Sequence, residues 1–145
     1  MALSRRELLV LGGGVVCAHA FGCGSAPIVL DKEIPAGNAA SIAANSLQAV
    51  AGKSVAIGRD SGGIYAMTLV CTHEGCDIRT SQGGSVTPTR IHCGCHGSEY
   101  NGQGAVLLPP STRPLDHLLV TNDGTGALTI HGDMVVATGT RLSPV

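Results

Sequence analysis

Thirty residues, Cys71 to Tyr100, constrain this chain more than any other stretch. They open on Cys71-Thr72-His73-Glu74-Gly75-Cys76 and close on Cys93-Gly94-Cys95-His96-Gly97-Ser98-Glu99-Tyr100, with a polar, glycine-rich spacer between. Four of the chain's 6 cysteines and three of its 6 histidines lie inside. Each end offers two cysteines and one histidine, and His92 stands just ahead of the second group. This symmetry points to two facing loops that each give a Cys and a His to one metal centre. The second Cys of each loop is then left to cross-link the pair. A set of two Cys and two His is also a structural zinc signature, and the cysteines alone fit a disulfide framework. Neither accounts for the Gly97-Ser98-Glu99-Tyr100 run, and zinc leaves two cysteines over.

Composition narrows the class. With 145 residues, 13% charged residues and a net charge of −1, the chain fits one small domain. It carries no basic stripe of the kind a nucleic-acid binder needs. Aromatic residues are scarce at 2%, and 21 glycines accompany a core alphabet of Val, Ile, Leu and Ala. That mixture suits short strands joined by tight turns. So small a β domain buries limited apolar area, and a disulfide and a metal centre would add constraint.

Strand signals recur at short intervals. Pro27–Leu30 is a first apolar run, broken by Pro35-Ala36-Gly37, and a strand is expected near Ser41–Ala43 with loop after it. Ser54–Arg59 and Ile64–Val70 read as a hairpin around Asp60-Ser61-Gly62-Gly63, and its second strand runs straight into Cys71. Ile91 leads into the second loop from another short strand. Leu115–Thr121 and Ala127–His131 flank a second hairpin turn at 122–126. Met134–Ala137 is expected as an edge strand and Leu142–Val145 as a free tail. His92, His117 and His131 read as strand-end or surface residues.

The two motifs resemble the cluster-binding loops of Rieske iron–sulfur proteins, of the disulfide-containing type found in cytochrome bc complexes. The resemblance implies a [2Fe–2S] cluster with Cys71 and Cys93 on one iron and His73 and His96 on the other. It implies a disulfide between Cys76 and Cys95. Ser98 and Tyr100 match residues whose hydroxyls point at a bridging sulfide and at a ligating cysteine sulfur. Gly75, Gly94 and Gly97 permit the sharp loop turns. The expected fold is all-β, a small antiparallel Rieske-like sandwich or partial barrel over residues 26–145, with a cluster-binding subdomain at about 71–108. Two departures stand out. The spacer of nineteen residues between His73 and Cys93 is long, with 82–88 as the insertion. Pro109 and Pro110 stand where the family has a Gly-Pro-Ala loop over the cluster.

The N-terminus reads as an address. Ser4-Arg5-Arg6-Glu7-Leu8-Leu9 resembles a twin-arginine export signal, followed by an apolar run from Leu8 to Phe21. Fourteen residues suit a signal core better than a membrane span of about twenty. That route carries folded proteins, which agrees with a cluster loaded before export, and an oxidising destination permits the disulfide. Residues 1–25 are therefore expected to be a signal or a membrane anchor, with lipidation of Cys23 as the other form of attachment. Cys17 and His19 have no further role. The expected location is the extracytoplasmic face of a bacterial membrane.

By resemblance the function is electron transfer, as a redox subunit rather than a self-contained enzyme. One electron would pass from quinol to a cytochrome in a respiratory bc-type complex. The alternative is the Rieske small subunit of an exported molybdenum oxidoreductase, or a stand-alone exported carrier. A Rieske oxygenase is not expected at this length, nor a cytoplasmic Rieske ferredoxin with an export signal and disulfide cysteines. Changing Arg5 and Arg6 together to Lys should leave folded precursor in the cytoplasm, checked by fractionation and immunoblotting. Unimpaired export in a strain lacking the twin-arginine translocase would refute the assignment.

Overall fold

The computed structural model describes residues 26–143. The readings placed on Arg5, Arg6, Cys17, His19 and Cys23 lie outside the described residues, as do Pro144 and Val145. The described chain is nearly all-β. Strands β1 (Ile34–Asn38), β2 (Ser46–Ala49), β3 (Val55–Asp60), β4 (Gly63–Thr68), β9 (His117–Asn122) and β10 (Ala127–Val136) form a curled antiparallel half-barrel sheet in the order β1-β10-β9-β4-β3-β2. Strands β5 (Ser85–Val86), β6 (Arg90–His92), β7 (Glu99–Asn101) and β8 (Val106–Leu108) form a second sheet in sequence order.

Strand β4 explains how the two sheets relate. Successive side chains of a strand point to opposite faces. Ile64 and Ala66 join a base core with Val55, Ile57, Leu118 and Ile130. Tyr65 and Met67 join a second core with Ile78, Ile91, Tyr100 and Leu115. All six residues of β4 are buried, so the strand reads as a continuous apolar run instead of an alternating one. Its partner β3 pairs Gly58 with Tyr65. A Cβ at Gly58 would meet the Tyr65 ring at 2.7 Å, so the glycine makes room for the aromatic side chain.

The β3–β4 and β9–β10 hairpins match expectation, and so does a short strand at Ile91. Four local expectations are corrected. Pro35-Ala36-Gly37 does not break the chain but lies within β1, an edge strand whose register shifts between Pro35 and Asn38. An edge position and a bulge are where a sheet accepts proline. In place of a strand near Ser41–Ala43 there is a 3-10 turn at Ala39–Ser41, because the Asn38 side chain accepts the Ala40 N–H and caps it. Met134 to Val136 is no separate strand, since β10 continues through a bulge after His131 and pairs Val135 with Leu118. Leu142 is not free. It exchanges two backbone hydrogen bonds with Ile64, at 2.9 and 2.8 Å. A Cβ at Gly63 would lie 2.3 Å from the Leu142 oxygen, which is why glycine stands there at φ 131°.

His117 begins a strand as expected, yet it is 2% exposed rather than superficial. Its Nε2 lies 3.0 Å from the Gln103 carbonyl oxygen, which fixes a proton on that nitrogen. The buried Nδ1 has no partner among the described residues. The ring stacks on Tyr65, and the Arg141 guanidinium lies over the Tyr65 ring, 4.4 Å from its centroid. Arg141 also binds Asp60 at 2.8 Å and the Gln103 amide oxygen. Tyr65 donates to the Gly102 carbonyl at 2.9 Å. The turn between β7 and β8 is thereby held onto the half-barrel.

Burial pushes the His117 imidazole below its ordinary value. A depressed histidine contributes stability that is complete above the unfolded value near 6.5 and is lost as pH falls below it. Urea midpoints of the intact protein at about pH 7.5 and about pH 5.5 should therefore fall more for wild type than for His117→Gln, which keeps an N–H donor for Gln103. Equal losses would show that His117 does not drive the acid sensitivity.

Candidate metal centre

The two loops close by one backbone scheme. Cys71 N–H donates to the Cys76 carbonyl at 2.8 Å, and Gly75 N–H donates back to Cys71 at 2.9 Å. Cys93 N–H donates to the Ser98 carbonyl at 2.9 Å, and Gly97 N–H donates back to Cys93 at 3.0 Å. Gly75 and Gly97 occupy equivalent positions with φ of 75° and 82°, the left-handed region where a Cβ is strained. Gly94 is required for a different reason. A Cβ there would lie 1.9 Å from the Gln82 carbonyl oxygen. Its N–H donates to Ser81 Oγ at 3.0 Å. The long spacer thus seats the second loop, and part of it forms β5.

The loops face each other and are tied by the Cys76–Cys95 disulfide, with Cα atoms 6.7 Å apart. Cys71 and Cys93 are free and buried among the described residues. The His73 and His96 rings meet edge to face with centroids 4.8 Å apart. His73 Nδ1 is buried and has no hydrogen-bond partner among the described residues. His96 is 47% exposed, with its Nε2 3.7 Å from a Glu74 carboxylate oxygen. The two imidazoles are thus brought together beside Glu74, and the sulfurs of Cys76, Cys93 and Cys95 lie within 4.8 Å of one another.

Burial raises the Cys71 thiol, but the Tyr100 hydroxyl, the His73 backbone N–H and Ser111 outweigh it, so it sits below its ordinary value. Cys93 is pushed up by burial and by its neighbour Cys71, against the backbone N–H groups of Cys95 and His96. Tyr100 Oη lies 3.3 Å from Cys71 Sγ, the contact expected of it. Ser98 is fully buried, and its oxygen accepts the Ser111 N–H at 3.0 Å. The segment after β8 does cover the site, but Ser111 rather than either proline makes the polar contacts, with Oγ 3.6 Å from Cys71 Sγ. Sequence reasoning missed Ser111 and also Thr72, whose N–H donates to Tyr100 Oη at 3.2 Å. The only signal for Ser111 was its place directly after the two prolines. His92 stays outside the cluster of donors, 3.4 Å from Glu99. An open cleft of about 420 Å³ adjoins Cys71–Gly75, walled by Ile28, Leu30, Val135 and Arg113.

The model of the Rieske [2Fe-2S] domain family matches residues 27–121. The chain belongs to that family. Among curated relatives, the cytochrome b6-f complex iron-sulfur subunit 2 of Synechocystis sp. PCC 6803 is 30% identical over 115 residues, 77% of this chain and 60% of that one. The cytochrome b6-f complex iron-sulfur subunit of Synechococcus sp. JA-3-3Ab is 36% identical over 67 residues, 45% of this chain and 37% of that one. The Rieske chain thus spans roughly 37% to 60% of the length of these relatives. A solved cyanobacterial plasma membrane Rieske protein from Synechocystis PCC 6803 is 23% identical with a TM-score of 0.46, covering 72% of this chain and 99% of that one.

Family membership brings a [2Fe–2S] cluster, and the Rieske residues present here suit one. Two buried free thiols, two converging imidazoles and an orphaned buried His73 Nδ1 form a mixed sulfur and nitrogen donor set. Backbone N–H groups directed at both thiols suit anionic sulfur.

The bridge joins residues 19 positions apart in sequence, for which the loop-entropy estimate is about 3 kcal/mol. Cys76→Ser or Cys95→Ser should therefore lower thermal stability while iron remains bound after anaerobic purification, checked by calorimetry with iron analysis. Complete loss of iron under those conditions would mean that bridge and donor cysteines are interchanged.

Proposed function

We propose that this chain is an exported electron carrier that takes one electron from quinol and passes it to a cytochrome within a bc-type complex. In this reading Cys71 and Cys93 hold one iron and His73 and His96 the other. The observation that carries it is the buried His73 Nδ1, without a partner among the described residues and beside His96, on the bridged loops that also hold two free buried thiols. Four thiolates would leave a cluster strongly negative, and two neutral imidazoles in their place raise its potential for one-electron uptake to between about −150 and +300 mV.

The protein's own groups do the rest. Cys71 and Cys93 are presented as sulfurs already surrounded by N–H and O–H donors, which favours the added negative charge. Tyr100 directs its hydroxyl at Cys71 Sγ. His96 presents an exposed ring edge, where Nε2 would accept the proton of a quinol hydroxyl, and a cluster held by the loops would supply the site for its electron. Glu74 stands 3.7 Å from that nitrogen and is 62% exposed, a position from which its carboxylate passes the proton to water. Membrane attachment belongs to the segment before residue 26, through an uncleaved anchor or lipid on Cys23. No helix among the described residues is long and apolar enough to cross a membrane. Export by the twin-arginine route would place the domain at the extracytoplasmic face.

One observation favours a second reading, the small subunit of an exported molybdenum oxidoreductase or a stand-alone carrier. Glu74 puts an exposed carboxylate beside the histidine edge, which suits a polar partner surface better than an apolar one. A cytochrome b gene beside this one would favour the first reading, and a large molybdopterin subunit the second.

Purified protein should contain iron and inorganic sulfide in equal amounts, with an EPR spectrum of low average g-value on reduction. Zinc without sulfide would refute the ligand assignment. Tyr100→Phe should lower the reduction potential by roughly 40–90 mV, the equivalent of about 1–2 kcal/mol for a hydrogen bond to a charged acceptor. Redox titration checks it, and an unchanged potential would show that this hydroxyl does not act on the cluster.

A further inference from the structure

We propose that Ser111 is a positioning residue that, with Tyr100, keeps one hydroxyl donor aimed at the Cys71 sulfur. The inference rests on the ligand reading above and extends it to a residue outside both motifs. Ser111 is 3% exposed and lies between β8 and β9. Its Oγ is 2.5 Å from Tyr100 Oη, 3.0 Å from Ser98 Oγ and 3.6 Å from Cys71 Sγ.

Counting protons gives the argument. A serine, threonine or tyrosine hydroxyl has a single proton to donate. Thr72 donates its own to the Arg113 carbonyl at 2.7 Å, so toward Tyr100, 3.0 Å away, it can only accept. Two oxygens 2.5 Å apart share one proton, so between Ser111 and Tyr100 one donates and the other accepts. When Ser111 donates to Tyr100, the Tyr100 proton has Thr72 Oγ1 at 3.0 Å and Cys71 Sγ at 3.3 Å as acceptors, of which a thiolate is the stronger. The phenol then accepts from both Ser111 and the Thr72 N–H, which polarises its O–H and strengthens it as a donor. When Tyr100 donates to Ser111, the Ser111 proton has two acceptors, Ser98 Oγ at 3.0 Å and Cys71 Sγ at 3.6 Å. In either arrangement one O–H has the sulfur among its acceptors, and a charged thiolate draws it more strongly than a neutral hydroxyl oxygen does.

The Ser111 backbone adds a second constraint. Its N–H donates to Ser98 Oγ, which fills one lone pair of that oxygen and turns the Ser98 proton away from Ser111. One residue of the covering segment thereby sets the direction of hydroxyls on the second loop and at the first loop's cysteine.

The pair is redundant, and redundancy has a distinct signature. Ser111→Ala removes the polarising donor, and Tyr100→Phe leaves Ser111 to reach the sulfur by itself. Only the double variant leaves no hydroxyl of the pair. We expect Ser111→Ala to lower the one-electron reduction equilibrium constant about threefold, or about 28 mV at 59 mV per decade. The double variant should fall by more than the product of the single changes. Ser111→Thr, which keeps the hydroxyl, should hold the wild-type potential. Redox titration of the intact protein reads all four variants and wild type, with iron and sulfide measured on the same samples. Loaded samples in which Ser111→Ala matches wild type, or in which the double change equals the product of the singles, overturn this inference alone. A threefold drop in Ser111→Thr as well assigns the effect to packing and also overturns it. Wild-type protein without iron and sulfide overturns the ligand reading and this inference together.

Discussion

Strand β4 has no wet face, and the rest of the molecule is arranged around that fact. Its even-numbered side chains are spent on the half-barrel core and its odd-numbered ones on the core beneath the metal loops. Burying a large apolar side chain contributes about 1.5–3 kcal/mol. Tyr65 and Met67 therefore hold the small sheet in place with an energy that no surface ion pair would match. The strand then passes through Leu69, itself fully buried, directly into Cys71. The first sulfur is consequently positioned by a strand buried along its whole length, and the second loop is positioned against the first.

The metal centre was legible because its chemistry needs particular residue types at short spacing. The proposed donors Cys71, His73, Cys93 and His96, and the bridging Cys76 and Cys95, are residue types with few substitutes for such tasks, so the pattern shows in the sequence itself. The β3–β4 hairpin was legible for the same kind of local reason, an apolar run on either side of Asp60-Ser61-Gly62-Gly63. What failed was whatever depended on a distant partner. Pro35 looks like a breaker until β10 makes its strand an edge, and Leu142 looks like a tail until Ile64 pairs with it. His117 is polar by composition and buried by its neighbours Tyr65 and Gln103. Ser111 is an ordinary loop serine until folding brings it within reach of Tyr100, 11 residues away in sequence.

Attachment of the small sheet does not rest on apolar contact alone. The β7–β8 turn offers the carbonyls of Gly102 and Gln103, and Tyr65 and His117 of the half-barrel satisfy them. Arg141, near the end of the described chain, adds Asp60 and the Gln103 side chain to the same assembly. Backbone carbonyls left unpaired at such a buried junction would each cost about 1–3 kcal/mol. The junction is thus specified by polar groups that tolerate only one placement, while the apolar core supplies most of the attraction.

The shared closure of the two loops has a mechanical consequence. Counting from the first cysteine of each, the bridge joins the sixth residue of one loop to the third residue of the other. Had it joined equivalent positions, the loops could pivot about it like the jaws of a hinge. A diagonal tie couples the root of one loop to the crown of its neighbour, so that opening either one must tilt both. Relative displacement of the four donor side chains is thereby converted into joint displacement, which the buried strand beneath resists. The four side chains proposed as donors then shift jointly, and the smaller their rearrangement when charge arrives, the lower the barrier to electron exchange.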